Sequence, residues 1–493
     1  MSATGRVRPL MHLRTLPTMY GALAVLAAPA LASAQMPAAE RVQTLADSLA
    51  RAEIALGEIP GMSIAVARNG EILVERGYGK ADLELDVAAS PETVYGITSI
   101  SKQITAAIVL RLAEQERLSL DDPITKYLPD YPVQGRAVTI RHLLNHTSGT
   151  DPMNGSAIGL PDPQWTRGDR SYREMVEVYG RMPFQFEPGE RFGYNNLGYY
   201  LLGEIIGRVT GTSYAEEVER QLEPLGLESI VYCDDRRIVP NRAEAYEVDS
   251  GTLVHAAPLS MHVLGAAGAL CSTAGDLVRW SHLLHGGTFV TPGSLRRMTS
   301  PTVLGSGDTV SYGFGLQLDR LEAHRKLWHG GTWPWGGYLA HYPEAGLTIA
   351  VLTNGARAGR VKAAEIEEAL ARAALGLASP QVRAAVSGEA TRAEPRIEDL
   401  PLTVAEMARY EGAYALQMGG RTLELRVFIE DGELKASPAG QPPTRLLYQG
   451  DHTFVPAASP RMRFSFALDH VRATALSMRD PGGRTITGLR REP

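Results

Sequence analysis

The stretch Gly96-Ile97-Thr98-Ser99-Ile100-Ser101-Lys102-Gln103-Ile104-Thr105 constrains this chain more than any other. Ile104, Ile108 and Leu112 recur at steps of four, and no Gly or Pro follows until Pro123. That pattern is helical. Ser99 and Lys102 stand at its head in the spacing S-x-x-K. Positions three apart lie side by side on a helix, so the lysine amine falls next to the serine hydroxyl. The hydroxyl also sits at the helix N-terminus, where the backbone dipole favours developing negative charge. Taken alone, the motif reads sooner as a capping serine beside a solvated lysine.

Two later stretches carry further chemistry. Tyr194-Asn195-Asn196 places a phenol and a carboxamide two residues apart, and on an extended segment such side chains point the same way. A helix from Tyr199 to Val209 follows. His329-Gly330-Gly331-Thr332-Trp333-Pro334-Trp335-Gly336-Gly337 reads as a loop whose small residues admit a ligand close to the backbone. Trp333 and Trp335 fit either a core or the wall of an acyl pocket. His142 and His146 are four apart, but Leu143 stands where the zinc-protease pattern needs Glu, so no metal site is expected. Residues 143–149 are read as a structured loop beside the site. Neither G-x-S-x-G nor a P-loop is complete.

The N-terminus differs from the rest of the 493 residues. Arg6, Arg8 and Arg14 precede an apolar run from Tyr20 to Leu31, and Ala32-Ser33-Ala34 offers an A-x-A cleavage site. This is the pattern of a secretory signal peptide, and the run is too short to span a bilayer. Cleavage near Ala34 makes the chain periplasmic or secreted. Charged residues make up 21% and apolar residues 44%, as in ordinary globular proteins, and the net charge is -6. No basic cluster points to nucleic acid. Cys233 and Cys271 are the only cysteines. An oxidising compartment permits a disulfide, but spacing alone leaves two buried thiols equally open.

In chain order, residues 38–57 form an amphipathic helix, and Asn69-Gly70 between apolar runs marks a hairpin. Thr273 and Asp276 cap a helix. Strands at 338–341 and 347–352 flank Glu344-Ala345-Gly346, and a helix covers 361–375. Residues 379–401 are rich in Ala, Pro, Glu and Arg without periodicity, as in a linker. From Tyr410 onward short alternating segments form a small all-β unit, a barrel or curled sheet.

Ser99-x-x-Lys102, Tyr194-x-Asn196 and His329-Gly330-Gly331, in that order, resemble the motifs of the serine β-lactamase and penicillin-binding-protein superfamily, in its class C β-lactamase-like and D,D-peptidase-like branch. Residues 140–149 and Pro188-Gly189-Glu190 share the resemblance. It implies an α+β fold (an α/β sandwich), with an antiparallel sheet flanked by helices plus a helical subdomain. The last unit is similar to small lipocalin-like β domains. The expected organisation is a signal peptide at 1–34, a catalytic domain at 35–378, a linker at 379–402 and the β domain at 403–493.

The resemblance implies an acyl-Ser99 hydrolase without metal or organic cofactor, acting on a small-molecule or peptide substrate. Lys102 or Tyr194 is the base, a division left open, and Tyr194 is the donor to the leaving group. Asn196 orients Lys102 and the substrate. The oxyanion is held by the backbones of Ser99 and Thr332, next to Gly331. His329 stands where β-lactamases usually carry Lys, which weakens a cation for a substrate carboxylate. Ester or D-amino-acid peptide hydrolysis is therefore expected above β-lactam hydrolysis. The alternative is a non-catalytic penicillin- or wall-binding module. No partner macromolecule, stable membrane span or oligomeric state follows from these residues.

Overall fold

Asn69 and Gly70 have φ values of 51° and 84°, and a two-residue turn that matches strand twist needs this left-handed pair. The turn joins β1 (Gly61–Arg68) to β2 (Glu71–Asp82). The structure is a computed structural model. It describes residues 38–151, 153, 165–249, 252–332, 334–378, 399–418, 421–438, 443–457, 462–469, 471–479 and 485–491. The expected signal segment, most of the linker and Trp333 lie outside these residues.

The hairpin sits inside a seven-stranded antiparallel sheet. Its other members are β3 (Val87–Ala88) and, from far along the chain, β7 (Gln317–Leu321), β8 (His324–Gly331), β9 (Gly336–Tyr342) and β10 (Leu347–Thr353). The order is β7-β8-β9-β10-β1-β2-β3. Strand β1 pairs with β10 from Met62↔Thr353 to Arg68↔Leu347. Both are central strands and both are apolar on two faces, as strands covered on both sides must be. Side chains alternate across the sheet. Ile64, Val66, Ile349 and Val351 face one core, with Val42, Ala46 and Ala50 of α1 (Ala38–Ala55) and Ile366 and Leu370 of α5 (Arg357–Leu375). Ala65, Ala67, Ala350 and Leu352 face the other core, which holds the helical region. That region contains α2 (Ser101–Glu114), α3 (Asn196–Thr210) and α4 (Ala274–His285). Thr273 caps α4 by accepting from Asp276 N at 3.1 Å, as its spacing predicts.

A small sheet ties the nucleophile's segment to this region. It runs β4 (Tyr95–Gly96), β6 (Leu270–Ser272), β5 (Val231–Tyr232). Cys233 and Cys271 are bonded to each other, with Cα atoms 5.1 Å apart, so the two thiols left open by sequence are one crosslink. None of the described helices is long and apolar enough to cross a membrane.

The chain divides into two units, Met1–Ser379 and Pro380–Pro493. The second is a closed barrel of eight strands in sequential order, from β11 (Gly412–Met418) to β18 (Thr485–Arg490). Each strand pairs with its chain neighbour, and β11 pairs with β18 to remove the edges. Eight strands leave an interior that side chains can fill. Tyr414, Leu416, Leu425, Phe454 and Phe466 occupy it. Residues Asp399 and Leu400, assigned to the linker by composition, bond to the barrel: Asp399 pairs with Arg445 at 2.6 Å and Leu400 N donates to Tyr448 O at 2.9 Å.

One buried ion pair fastens α5 to the sheet. Glu367 is fully buried, bonds to Lys326 of β8, and accepts from Tyr342 Oη at 2.7 Å. Removing one partner strands the other charge. Lys326→Met is expected to cost about 3–5 kcal/mol, and Lys326→Met with Glu367→Leu to recover most of it. Urea unfolding checks this, and a double variant as unstable as the single would contradict it.

Candidate active site

The turn Thr98–Ile100 carries Ser99 and runs directly into α2 at Ser101. That helix is buried on nearly every side, from Ser101 through Leu110, so it is a core helix rather than a surface one. Thr98 has a φ of 44°. A β-branched residue in that region is strained. Thr98 Oγ1 is also buried without a hydrogen-bond partner. Strand β8 passes directly over this turn: a Cβ on Gly331 would lie 2.0 Å from Thr98 Oγ1 and 2.6 Å from Ile97 O. Only glycine permits that approach. Trp335 is buried in the core, donates to Ala243 O at 3.1 Å and packs under Gly96. It is therefore a support for the nucleophile's turn and not a pocket wall.

Lys102 is fully buried, and its amine has three neighbours. Nζ lies 3.0 Å from Ser99 Oγ, 2.8 Å from Asn196 Oδ1 and 2.7 Å from Ala267 O. None of these is an acid. Burial holds the Lys102 amine well below its ordinary value. A neutral amine has two N–H groups and one lone pair. The carbonyl of Ala267 and the carboxamide oxygen of Asn196 can only accept, so they take both protons. The lone pair is left facing Ser99 Oγ.

Asn196 opens α3, and Asn195 caps it, accepting from Gly198 N at 3.0 Å. Sequence alternation placed Tyr194 and Asn196 on an extended segment. They instead straddle a helix cap, and both still reach the amine, with Lys102 Nζ 4.9 Å from the Tyr194 ring centre. The Tyr194 phenol is hydrogen-bonded to Ser99, and burial raises it well above its ordinary value. It is a neutral phenol at neutral pH.

His329 lies on β8, paired with Leu339 of β9, and not on the loop expected from its glycines. Glycine-rich composition hid a strand whose close approach to Thr98 needs those glycines. The His329 imidazole is pushed down to about 3, chiefly by burial. Gly331 ends the strand, and Thr332 beyond it is exposed. His142 and His146 serve different sites. His142 Nδ1 accepts from Thr139 N at 3.2 Å in a capping box, and His146 faces the aromatic cluster behind Tyr194.

Residues 47–373 match the protein-family model described as Beta-lactamase. The chain belongs to the beta-lactamase family. Penicillin-binding protein 4* of Bacillus subtilis (strain 168) is 30% identical over 436 residues, covering 84% of this chain and 92% of the relative. A D-aminopeptidase of Gluconobacter oxydans (strain 621H) is 29% identical over 419 residues, covering 80% and 77%. Solved structures share the fold. The octameric penicillin-binding protein homologue from Pyrococcus abyssi superposes with a TM-score of 0.59 at 24% identity, over 90% of this chain and 99% of its own. D-amino acid amidase from Ochrobactrum anthropi SV3 gives 0.58 at 23%, over 68% and 98%. This member of the beta-lactamase family is a hydrolase of the β-lactamase and D,D-peptidase type.

Four groups at this beta-lactamase-family site lie outside the three motifs. The carbonyl of Ala267 carries no sequence signal. Tyr312 and His146 are contributed by segments 166 residues apart and touch through side chains. Arg360, in the first turns of α5, brings its Nε within 3.2 Å of where a Gly330 Cβ would stand. Its charge acts on both His329 and Tyr194. The strain at Thr98 gives a direct test. Thr98→Gly relieves the left-handed backbone and removes an unpartnered hydroxyl, so unfolding is expected to gain about 1 kcal/mol while turnover falls. A loss of stability in chemical denaturation would contradict the strain.

Proposed function

We propose that this chain is an exported serine hydrolase that cleaves esters and amides of D-amino acids through an acyl-Ser99 intermediate. The observation that carries it is the lone pair of Lys102 facing Ser99 Oγ, 3.0 Å away. Serine needs such a neighbouring base to attack. Lys102 takes the hydroxyl proton as Oγ bonds to the substrate carbonyl. The oxyanion is received by the backbone N–H groups of Ser99 and Thr332, and losing one such donor typically costs ~3 kcal/mol in the barrier. Tyr194, a neutral phenol bonded to Ser99, gives its proton to the leaving nitrogen or oxygen and is reprotonated from Lys102. Water then attacks the ester carbonyl by the reverse route, and Ser99 leaves with the proton.

Neutral His329 supports the substrate class, since it offers no cation to the carboxylate that β-lactams carry. The name of the D-aminopeptidase relative points the same way. Export is supported by the N-terminal pattern and by the Cys233–Cys271 crosslink. The penicillin-binding relative keeps a second reading in view, a binder that acylates without turnover.

Turnover of D-alanine p-nitroanilide, p-nitrophenyl acetate and nitrocefin should be compared for wild type and Ser99→Ala. The first two are expected to exceed nitrocefin in kcat/KM, and Ser99→Ala to lose all turnover and fluorophosphonate labelling. Nitrocefin turned over fastest would overturn the substrate class, and stable labelling without turnover would favour the binder. The sign of the pH profile is fixed by the base. Activity falls as pH drops through the lowered Lys102 value, and the raised phenol gives no alkaline loss below about pH 10.

A further inference from the structure

Five side-chain and main-chain groups form a chain behind the site. Asn195 N donates to His146 Nδ1 at 3.1 Å. His146 Nε2 lies 3.1 Å from Tyr312 Oη, and Tyr312 Oη lies 3.4 Å from His329 Nε2. His329 Nδ1 lies 2.8 Å from Gly330 O. The ends decide the direction. A backbone N–H can only donate, so His146 Nδ1 accepts, and its Nε2 carries the proton. A carbonyl can only accept, so His329 Nδ1 carries the proton and its Nε2 accepts. Tyr312 must therefore accept from His146 and donate to His329. Every hydrogen-bonding atom of both rings is used.

The chain is closed to water. Tyr312, His146, Asn195 and His329 are all at most 4% exposed. It links the second motif to the third, since Asn195 lies between Tyr194 and Asn196 and His329 opens the His-Gly-Gly segment. Tyr194 stacks on it, with ring centres 4.5 Å from His146 and 6.1 Å from His329. Arg360 is a charged group acting on it, and Lys102, Tyr194, Tyr199 and Tyr312 are the titratable ones.

We infer that His146 and Tyr312 are positioning residues that hold His329 as a neutral Nδ1–H imidazole and set the wall of the substrate cleft against carboxylates. The inference rests on the hydrolase reading above for its specificity, but its geometry stands apart from it. A proton on His329 Nε2 would meet the Tyr312 O–H head-on, and that O–H would have to leave His329 for Tyr199 Oη, which itself donates to Leu144 O at 2.7 Å. The relay thus keeps the third motif uncharged while its neighbours are intact. Breaking it at Tyr312 frees Nε2 to bind a proton, and the histidine gains the charge that a substrate carboxylate would use.

The test is imidazole nitrogen NMR on the full chain, with kinetics beside it. In wild type, His146 is expected as the Nε2–H tautomer and His329 as Nδ1–H, neither changing from about pH 5 to 9. In Tyr312→Phe, Nε2 loses its donor and His329 should titrate above its wild-type value. Turnover of the neutral ester should fall about tenfold, as the loss of one buried hydrogen bond implies. The ratio of nitrocefin to ester turnover should rise as pH drops through that new value. His146→Gln keeps an acceptor and a donor in the same order and should retain the wild-type ratio. His329 as Nε2–H, or titrating in wild type, overturns the relay, and this readout needs neither variant to fold. An unchanged ratio and pH profile in folded Tyr312→Phe overturns its role in specificity. A wild type with the stated tautomers but no hydrolysis would sink the hydrolase reading alone.

Discussion

The site depends on one desolvated amine. Lys102 is fully buried, and its amine meets two obligatory acceptors and a serine. Desolvation disfavours the ammonium, and the acceptors then fix where the two remaining hydrogens go. The base is thus made by burial and by geometry together. Its cost is borne by the fold. Between the folded and unfolded titration points of this amine the unfolded chain binds one more proton, so this group makes stability rise with pH across that window.

The architecture supplies that burial from distant pieces of chain. The N-terminal hairpin and the C-terminal strands close one sheet, and the pairing of β1 with β10 brings the first and last parts of the unit together. Strand β8 then passes over the turn that carries Ser99, at a distance only Gly331 allows. The residues 265–267, which end one turn of the helical region, place the Ala267 carbonyl on the amine. Helix α3 places Asn196 from a third direction. Each motif alone is a common local pattern, and together they leave one lone pair and one hydroxyl with few alternatives.

Most of the frame was legible in the sequence. Asn69-Gly70, the Thr273 cap, the helix after Lys102 and the alternation of the barrel strands carry local signals strong enough to survive folding. The segment 329–337, read as a loop, is strand at 329–331 and 336–337, and its small residues admit backbone where a ligand was expected. Here glycine marks a strand pressed against the backbone of Thr98. Trp335 was open between core and pocket, and the neighbour that decides it, Gly96, lies far away in sequence. His146 fell in the stretch read as a loop beside the site, but its link to Tyr312 left no trace. Histidine and tyrosine are ordinary residues in a loop and a turn, and only tertiary contact gives their rings a direction. Arg360 stands just before the helix read at 361–375 and belongs to no motif.

The most direct test of this account is the protonation of Lys102 itself. Lysine side-chain carbon and nitrogen NMR, titrated on wild type and Lys102→Met, isolates its signal. One lysine, absent from the variant, is expected to titrate well below the ordinary value of about 10.4. A Lys102 signal that stays charged through pH 9 would mean that the amine is not the base and that Ser99 is activated by some other group.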